Sequence, residues 1–201
     1  SLTIADGGTY NATSGTTTIT SRNAGTGASW WNAETDGTAF VHNNGTVVIA
    51  HPSQSAYVQE SEAFYNLTIN LGNAGDEIVY TDIGGAGLTV HNDFTITSGE
   101  WKFLTAGDPI VVHGNTYVGA NGIFGISSPS GTHTFNGLVT NLGTHFTSSG
   151  TNNFNGGVRN LGTFTSDDTL TIGGTGGILE GNLDDAIINV NTDPVYGNFD
   201  G

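Results

Sequence analysis

Two histidines recur in matching triplets, Val90-His91-Asn92 and Val112-His113-Gly114, 22 residues apart. On adjacent strands of a regular stack their imidazoles would lie about 5 Å apart. Neutral imidazole is a common metal ligand, so the pair could share an ion. A structural zinc site closes with four ligands, however, and no third accompanies this pair. An outward ladder of rings is the plainer reading, and no metal site is assigned. His42, in Val41-His42-Asn43, shows the triplet to be a habit of the repeat.

Paired acids raise a second chemistry. Glycosidases hold two carboxyls roughly 5 to 10 Å apart across the scissile bond. Asp167-Asp168, Asp184-Asp185, Asp76-Glu77 and the alternating Glu60 and Glu62 supply carboxyls. Adjacent acids on a strand point to opposite faces, and acids at Gly-rich corners are ordinarily solvated. A polysaccharide lyase would need Lys or Arg as base or charge neutraliser, and the chain has three such residues in all. The expectation is a chain that is not an enzyme. Among cofactors only calcium enters, at the acidic loop from Asn73 to Glu77. Neither an EF-hand loop nor the nonapeptide of calcium-binding β-rolls occurs, and Gly173-Gly-Thr-Gly-Gly177 lacks the aspartate. Trp30, Trp31 and Trp101 are the rings that could stack on sugars, although packing across a cap or a subunit contact competes for them.

The elements that must carry these residues are legible from Leu88 to Ile187. Segments starting at Leu88, Ile110, Thr132, Thr151 and Leu170 are offset by 22, 22, 19 and 19 residues. The best pair sets Phe135 to Thr144 against Phe154 to Phe164. A period near 20 marks a solenoid, whose turns each bury too little alone and are stable only when stacked. Leu88, Val90, Phe94 and Ile96 form an inward apolar set broken at Asn92-Asp93, where the coil turns a corner. Gly122, Gly143, Gly162 and Gly181 recur where corners need positive φ or close backbone approach. Asn141 and Asn160 are placed to form an amide ladder.

Upstream, Ser14 to Ile19 aligns with Asn44 to Ile49 as a turn glycine followed by a β-branched strand. Between these two looser turns, Arg22 to Thr35 reads as a loop or lid capping the amino-terminal end. Asn66 to Ile69 alternates as a strand, and Gly72 to Gly87 reads as an outward loop around a short strand at Ile78 to Tyr80. The whole is one all-β domain over 1–201, a parallel β-solenoid with rungs of about 19–22 residues. It comprises looser rungs and a cap over 1–63, regular rungs over 64–191 and a tail over 192–201. An antiparallel β-sandwich is the alternative, because regular Gly and Asn turns also suit that class.

Thirty-two Gly among 201 residues and few strong helix formers agree with an all-β chain. Eighteen acids against three basic residues give a net charge of −15. Arg22, Lys102 and Arg159 offer almost nothing to phosphates, so neither nucleic acid nor an anionic membrane is expected as a partner. No apolar run approaches the length of a spanning helix, so membrane insertion is not expected. There is no Cys, and thus neither a disulfide framework nor a thiolate metal site. With no Met at its start, the chain reads as a processed product or a segment of a longer protein. Asn11, Asn44 and Asn66 lie in N-x-T sequons.

FYNLTIN followed by LTVHNDFTITSG, together with the opening LTIADGGTYNATSGTTTITS and its DGTAFVHNNGTVVI echo, resembles repeat segments of tail-fibre-like structural proteins of marine bacteriophages. More loosely it resembles bacterial surface adhesins. The resemblance spans most of residues 1 to 100 and carries over no functional residues. It implies a rigid, non-enzymatic solenoid of a virion or extracellular appendage, homo-oligomeric and open to a receptor role toward a cell-surface glycan. A self-assembling filament or surface-layer subunit and a carbohydrate-binding or glycan-active module are the alternatives. A solenoid exposes strand edges at its ends, so assembly contacts are expected at Leu2 and Ile4 on one end and at Ile188 and Val190 on the other.

Overall fold

A computed structural model describes residues 2–5, 7–21, 29–32, 39–51, 56–59, 63–73, 75–81, 87–103, 109–126, 131–143, 145–148, 150–166, 169–173, 178–181, 187–190 and 195–196. Among the described residues there are strands and connecting turns and no helix, and every strand pairing is parallel. The chain is a β-solenoid, and the antiparallel sandwich is set aside.

Its strands form three stacked runs. The first comprises β3 (Thr16–Ile19), β6 (Thr46–His51), β9 (Asn66–Leu71), the leading halves of β12 (Phe94–Phe103) and β14 (Thr116–Ile126), β16 (Val139–Asn141), β19 (Gly157–Asn160), β22 (Ile178–Gly181) and β24 (Val195–Tyr196). The second comprises β1 (Leu2–Thr3), β4 (Ser29–Asn32), β7 (Ala56–Gln59), β10 (Glu77–Thr81), the trailing halves of β12 and β14, β17 (His145–Ser148) and β20 (Thr165–Ser166). The third is β8 (Ala63–Phe64), β11 (Leu88–Val90), β13 (Ile110–Val112), β15 (Thr132–Phe135), β18 (Thr151–Phe154), β21 (Thr169–Ile172) and β23 (Ile187–Val190). The pair β2 (Tyr10–Asn11) and β5 (Phe40–Val41) precedes that run, with the Phe40 ring 5.8 Å from Phe64.

Residue alternation explains how each strand meets the core. In β9, Leu67, Ile69 and Leu71 are buried while Asn66, Thr68 and Asn70 turn outward, and β11 buries Leu88 and Val90 on either side of Thr89. Inside the coil runs an aromatic spine. Phe94 meets Trp101 and Phe124 edge-on at 5.4 and 5.6 Å, Phe124 meets Phe135 at 6.0 Å, and Phe135 stacks on Phe154 at 5.0 Å with planes 7° apart.

Register matches much of the sequence reading and corrects some of it. Thr16 to Ile19 pairs with Thr46 to Ile49, and Leu88 with Ile110, as aligned. The next rung is one residue out: Val111 faces Thr134, so the step is 23. Thr132 faces Thr151 at the expected 19, whereas Asn152 faces Leu170, a step of 18. The earlier rungs are more uneven, with steps of 30 from Thr16 to Thr46, 20 from Thr46 to Asn66 and 27 from Leu67 to Phe94.

Two segments read as irregular contain strands. The stretch from Arg22 to Thr35 holds β4, which pairs with β1 and β7 and so forms part of a rung rather than a lid. The tail over 192–201 holds β24, paired with β22. Backbone hydrogen bonding to a preformed neighbour overrides weak local composition at both places.

At one corner, glycine is dictated by contact. A Cβ on Gly143 would overlap the Gly122 carbonyl oxygen, and one on Gly162 would overlap that of Gly143. Gly181 does not continue this column. It pairs with Asn160 and has φ +100°.

Candidate functional surfaces

Along the outer edge of the third run, His42, Tyr65, His91 and His113 form a continuous column of rings. His42 stacks on Tyr65 at 5.6 Å and lies 5.2 Å from His91, which stacks on His113 at 5.7 Å with planes 5° apart. The expected His91–His113 ladder is present, and His42 joins it across an intervening rung. Asn44 N–H donates to His42 Nδ1 at 3.0 Å, and the Asn136 amide lies 3.2 Å from His113 Nδ1. A neutral imidazole has one acceptor nitrogen, so a ring that accepts a hydrogen bond at Nδ1 has committed the lone pair that a metal ion would need. Among the described residues no group of three His, Asp or Glu side chains is arranged to hold a metal ion.

The column continues as amides. Asn155 Nδ2 donates to Asn136 Oδ1 at 2.8 Å one rung further on. Inside the coil a separate amide ladder joins Asn141 Nδ2 to Asn160 Oδ1 at 2.8 Å, where both side chains are buried. Asn141 also donates to the Thr163 carbonyl at 2.9 Å and accepts from Gly143 N–H at 3.0 Å. The predicted ladder is thus an interior brace for the glycine corner.

Trp101 is corrected. It points inward between Ile78 and Phe124 in register and is fully buried, so its ring has no face for a sugar. Unbroken alternation from Phe94 and Ile96 would turn Trp101 outward, but the register shifts between Ile96 and Ser98, and beyond that irregularity the odd-numbered residues face the core. Trp30 and Trp31 lie in β4, and their side chains fall outside the described residues, as do those of Ile188 and Val190 in β23. Leu2 is half-buried and packs on the core, and Ile4 is buried within it. Ile4 therefore belongs to the chain's own interior rather than to an exposed contact.

Of the acids, Glu60, Glu62, Asp167, Asp168, Asp184 and Asp185 lie outside the described residues. Asp76 closes a turn: its N–H donates to the Asn73 carbonyl at 3.1 Å, and its carboxylate accepts from the Asn73 amide at 3.2 Å. Glu77 begins β10, opposite Glu100. Arg159 and Glu180, paired in register on adjacent strands, make an ion pair of 2.6 Å. At their exposure this contributes little to stability. Asn11 and Asn44 are exposed, whereas the Asn66 amide is occupied by Thr46, Asn92 and the Asp93 N–H.

His133 was not singled out by its sequence context. It faces inward on β15, fully buried, and its Nδ1 accepts from Ile110 N–H at 3.3 Å. Burial lowers its pKa from the usual 6.5 to about 4. The signal was available in Thr132-His133-Thr134-Phe135, where alternation puts His133 on the side of Phe135.

Among the described residues no helix is long and apolar enough to cross a membrane. Compared with known proteins, the chain matches no family model, no curated protein and no solved structure.

Proposed function

We propose that this chain is a non-enzymatic structural protein of an extracellular or virion appendage, a rod of the phage-fibre type that associates with further copies through its open strand edges. The observation that carries this reading is the parallel pairing of the described strands around one core that runs from Ile4 and Ile19 to Leu170 and Ile172. A rod of stacked rungs transmits force along its axis and offers repeated lateral faces, which suits an appendage. At its ends, β1, β3, β23 and β24 each have one pairing partner among the described residues. A strand edge without a neighbour is a template for another strand.

A self-assembling filament uses the same edges and differs in having no defined length. Light scattering at several concentrations separates the two: a fixed oligomer reaches a plateau in mass, and a filament keeps growing. A monomer of constant mass across the whole concentration range would overturn the self-association and leave a segment of a larger fibre as the better account.

A further inference from the structure

We propose that the His42–His91–His113 column is an acid-sensitive latch on the amino-terminal rungs, closed while the imidazoles are neutral and opened when they take up protons. The latch is built on the turn His42-Asn43-Asn44-Gly45. Gly45 N–H donates to the His42 carbonyl at 2.8 Å, and Asn43 and Asn44 both have positive φ, 44° and 59°. Two consecutive residues in the left-handed region form a type I′ turn, which asparagine tolerates and which neighbouring contacts hold in place. Two contacts do so here. Asn43 Nδ2 donates to the Ala12 carbonyl at 2.7 Å, and Asn44 N–H donates to His42 Nδ1 at 3.0 Å.

The second contact exists only for a neutral ring. An imidazolium carries N–H on both nitrogens and cannot accept, so protonating His42 removes the partner of Asn44 N–H and sets two donors against each other. At the other end of the column, Asn155 donates to Asn136 Oδ1, which fixes the Asn136 amide to present its Nδ2 to His113 Nδ1. Protonating His113 requires both amides to reverse. His91 lies between, 5.2 and 5.7 Å from the other two rings, so charge on any one opposes charge on the next. Burial and the neighbouring His91 both hold His42 below the ordinary imidazole range.

Among the described residues, the titratable groups facing the column are Tyr65 and Asp93. Tyr65 stacks on His42 from β8's end, and Asp93 lies on the corner beyond His91, its carboxylate accepting from Asn115 N–H at 2.8 Å and the Asn92 amide at 3.4 Å. On the preceding rung, the contacts to the turn come from the Ala12 carbonyl, and the remaining neighbours Asn66, Asn92 and Asn136 are neutral amides. Burial first, and His91 second, disfavour the charged form of His42, which places the opening of the turn below neutral pH.

Amide hydrogen exchange of the whole chain at pH 7.5 and 5.5, each corrected for intrinsic exchange, tests the latch. Protection at Asn44 and Gly45 is expected to fall at least tenfold at the lower pH, while Val112 and Phe135 stay protected. His42→Asn is the decisive variant, because its Oδ1 can accept from the same N–H two residues on and does not titrate. It is expected to keep the turn protected at both values. Unchanged protection in the native chain, or an equal loss in His42→Asn, would overturn the latch. If His42→Asn fails to fold, nitrogen-15 imidazole shifts of the native chain decide: His42 titrating below the ordinary imidazole range together with loss of the Asn44 N–H protection supports the latch, and His42 titrating at the ordinary value refutes it.

Discussion

His133 is a neutral imidazole in the interior, and its position has a consequence for stability. In the unfolded chain it titrates near 6.5, whereas in the fold burial lowers it to about 4. Between those values the unfolded state binds the extra proton, so stability is fully present above about 6.5 and is lost as pH falls toward 4. The shift corresponds to about 3 kcal/mol. Chemical denaturation from pH 7 to 4 should show His133→Leu losing about 3 kcal/mol less than the native chain. Equal losses would mean that His133 is hydrated in the fold. Asn141 makes a second residue-scale case. Its amide satisfies Asn160, Thr163 and Gly143 at once, so Asn141→Ala strands several polar groups and is expected to cost about 3 kcal/mol by equilibrium unfolding.

At the scale of the strand, the two faces of β13, β15 and β18 are to be contrasted. Phe154 stacks on Phe135 within the core, so Phe154→Ala should cost about 3 to 5 kcal/mol. His113, exposed at the corner after β13, should tolerate Asn at neutral pH within about half a kcal/mol. Equal effects at both sites would show the inward and outward faces to be misassigned. The one-residue slips at Thr134 and Leu170 matter for the same reason. Shifting a strand by one residue exchanges its faces, and only the true register puts Phe135 beneath Val112 and Ile172 beneath Phe154.

For the molecule as a whole, stability is distributed along a stack in which each rung touches only its neighbours. The interior rungs from β11 to β19 have partners on both sides and carry the aromatic spine, whereas β1 and β3 are paired on one side. Amide exchange at pH 7.5 is expected to be slowest in β11, β13 and β15 and progressively faster toward β3. Uniform protection from β3 to β15 would mean that the rod unfolds as one unit. Far-ultraviolet circular dichroism should show β-structure without the signature of helix.

The parallel solenoid was legible because its cause is local and repeated. Alternating apolar residues, turn glycines and a period near 20 are one-dimensional signals, and they placed Leu88, Val90, Phe94 and Ile96 inside and paired β3 with β6. The His91–His113 ladder followed from the same period. What the chain could not reveal by itself depends on neighbours that are distant in sequence. Trp101 is core rather than platform because the irregularity between Ile96 and Ser98 reverses which residues of β12 face inward, and His42 reaches His91 only because corners of different lengths bring them to one edge. The strand at Ser29–Asn32 exists because β1 and β7 supply its hydrogen bonds. Periodicity determines which residues face inward on a strand, whereas the packing of unequal rungs decides which side chains meet.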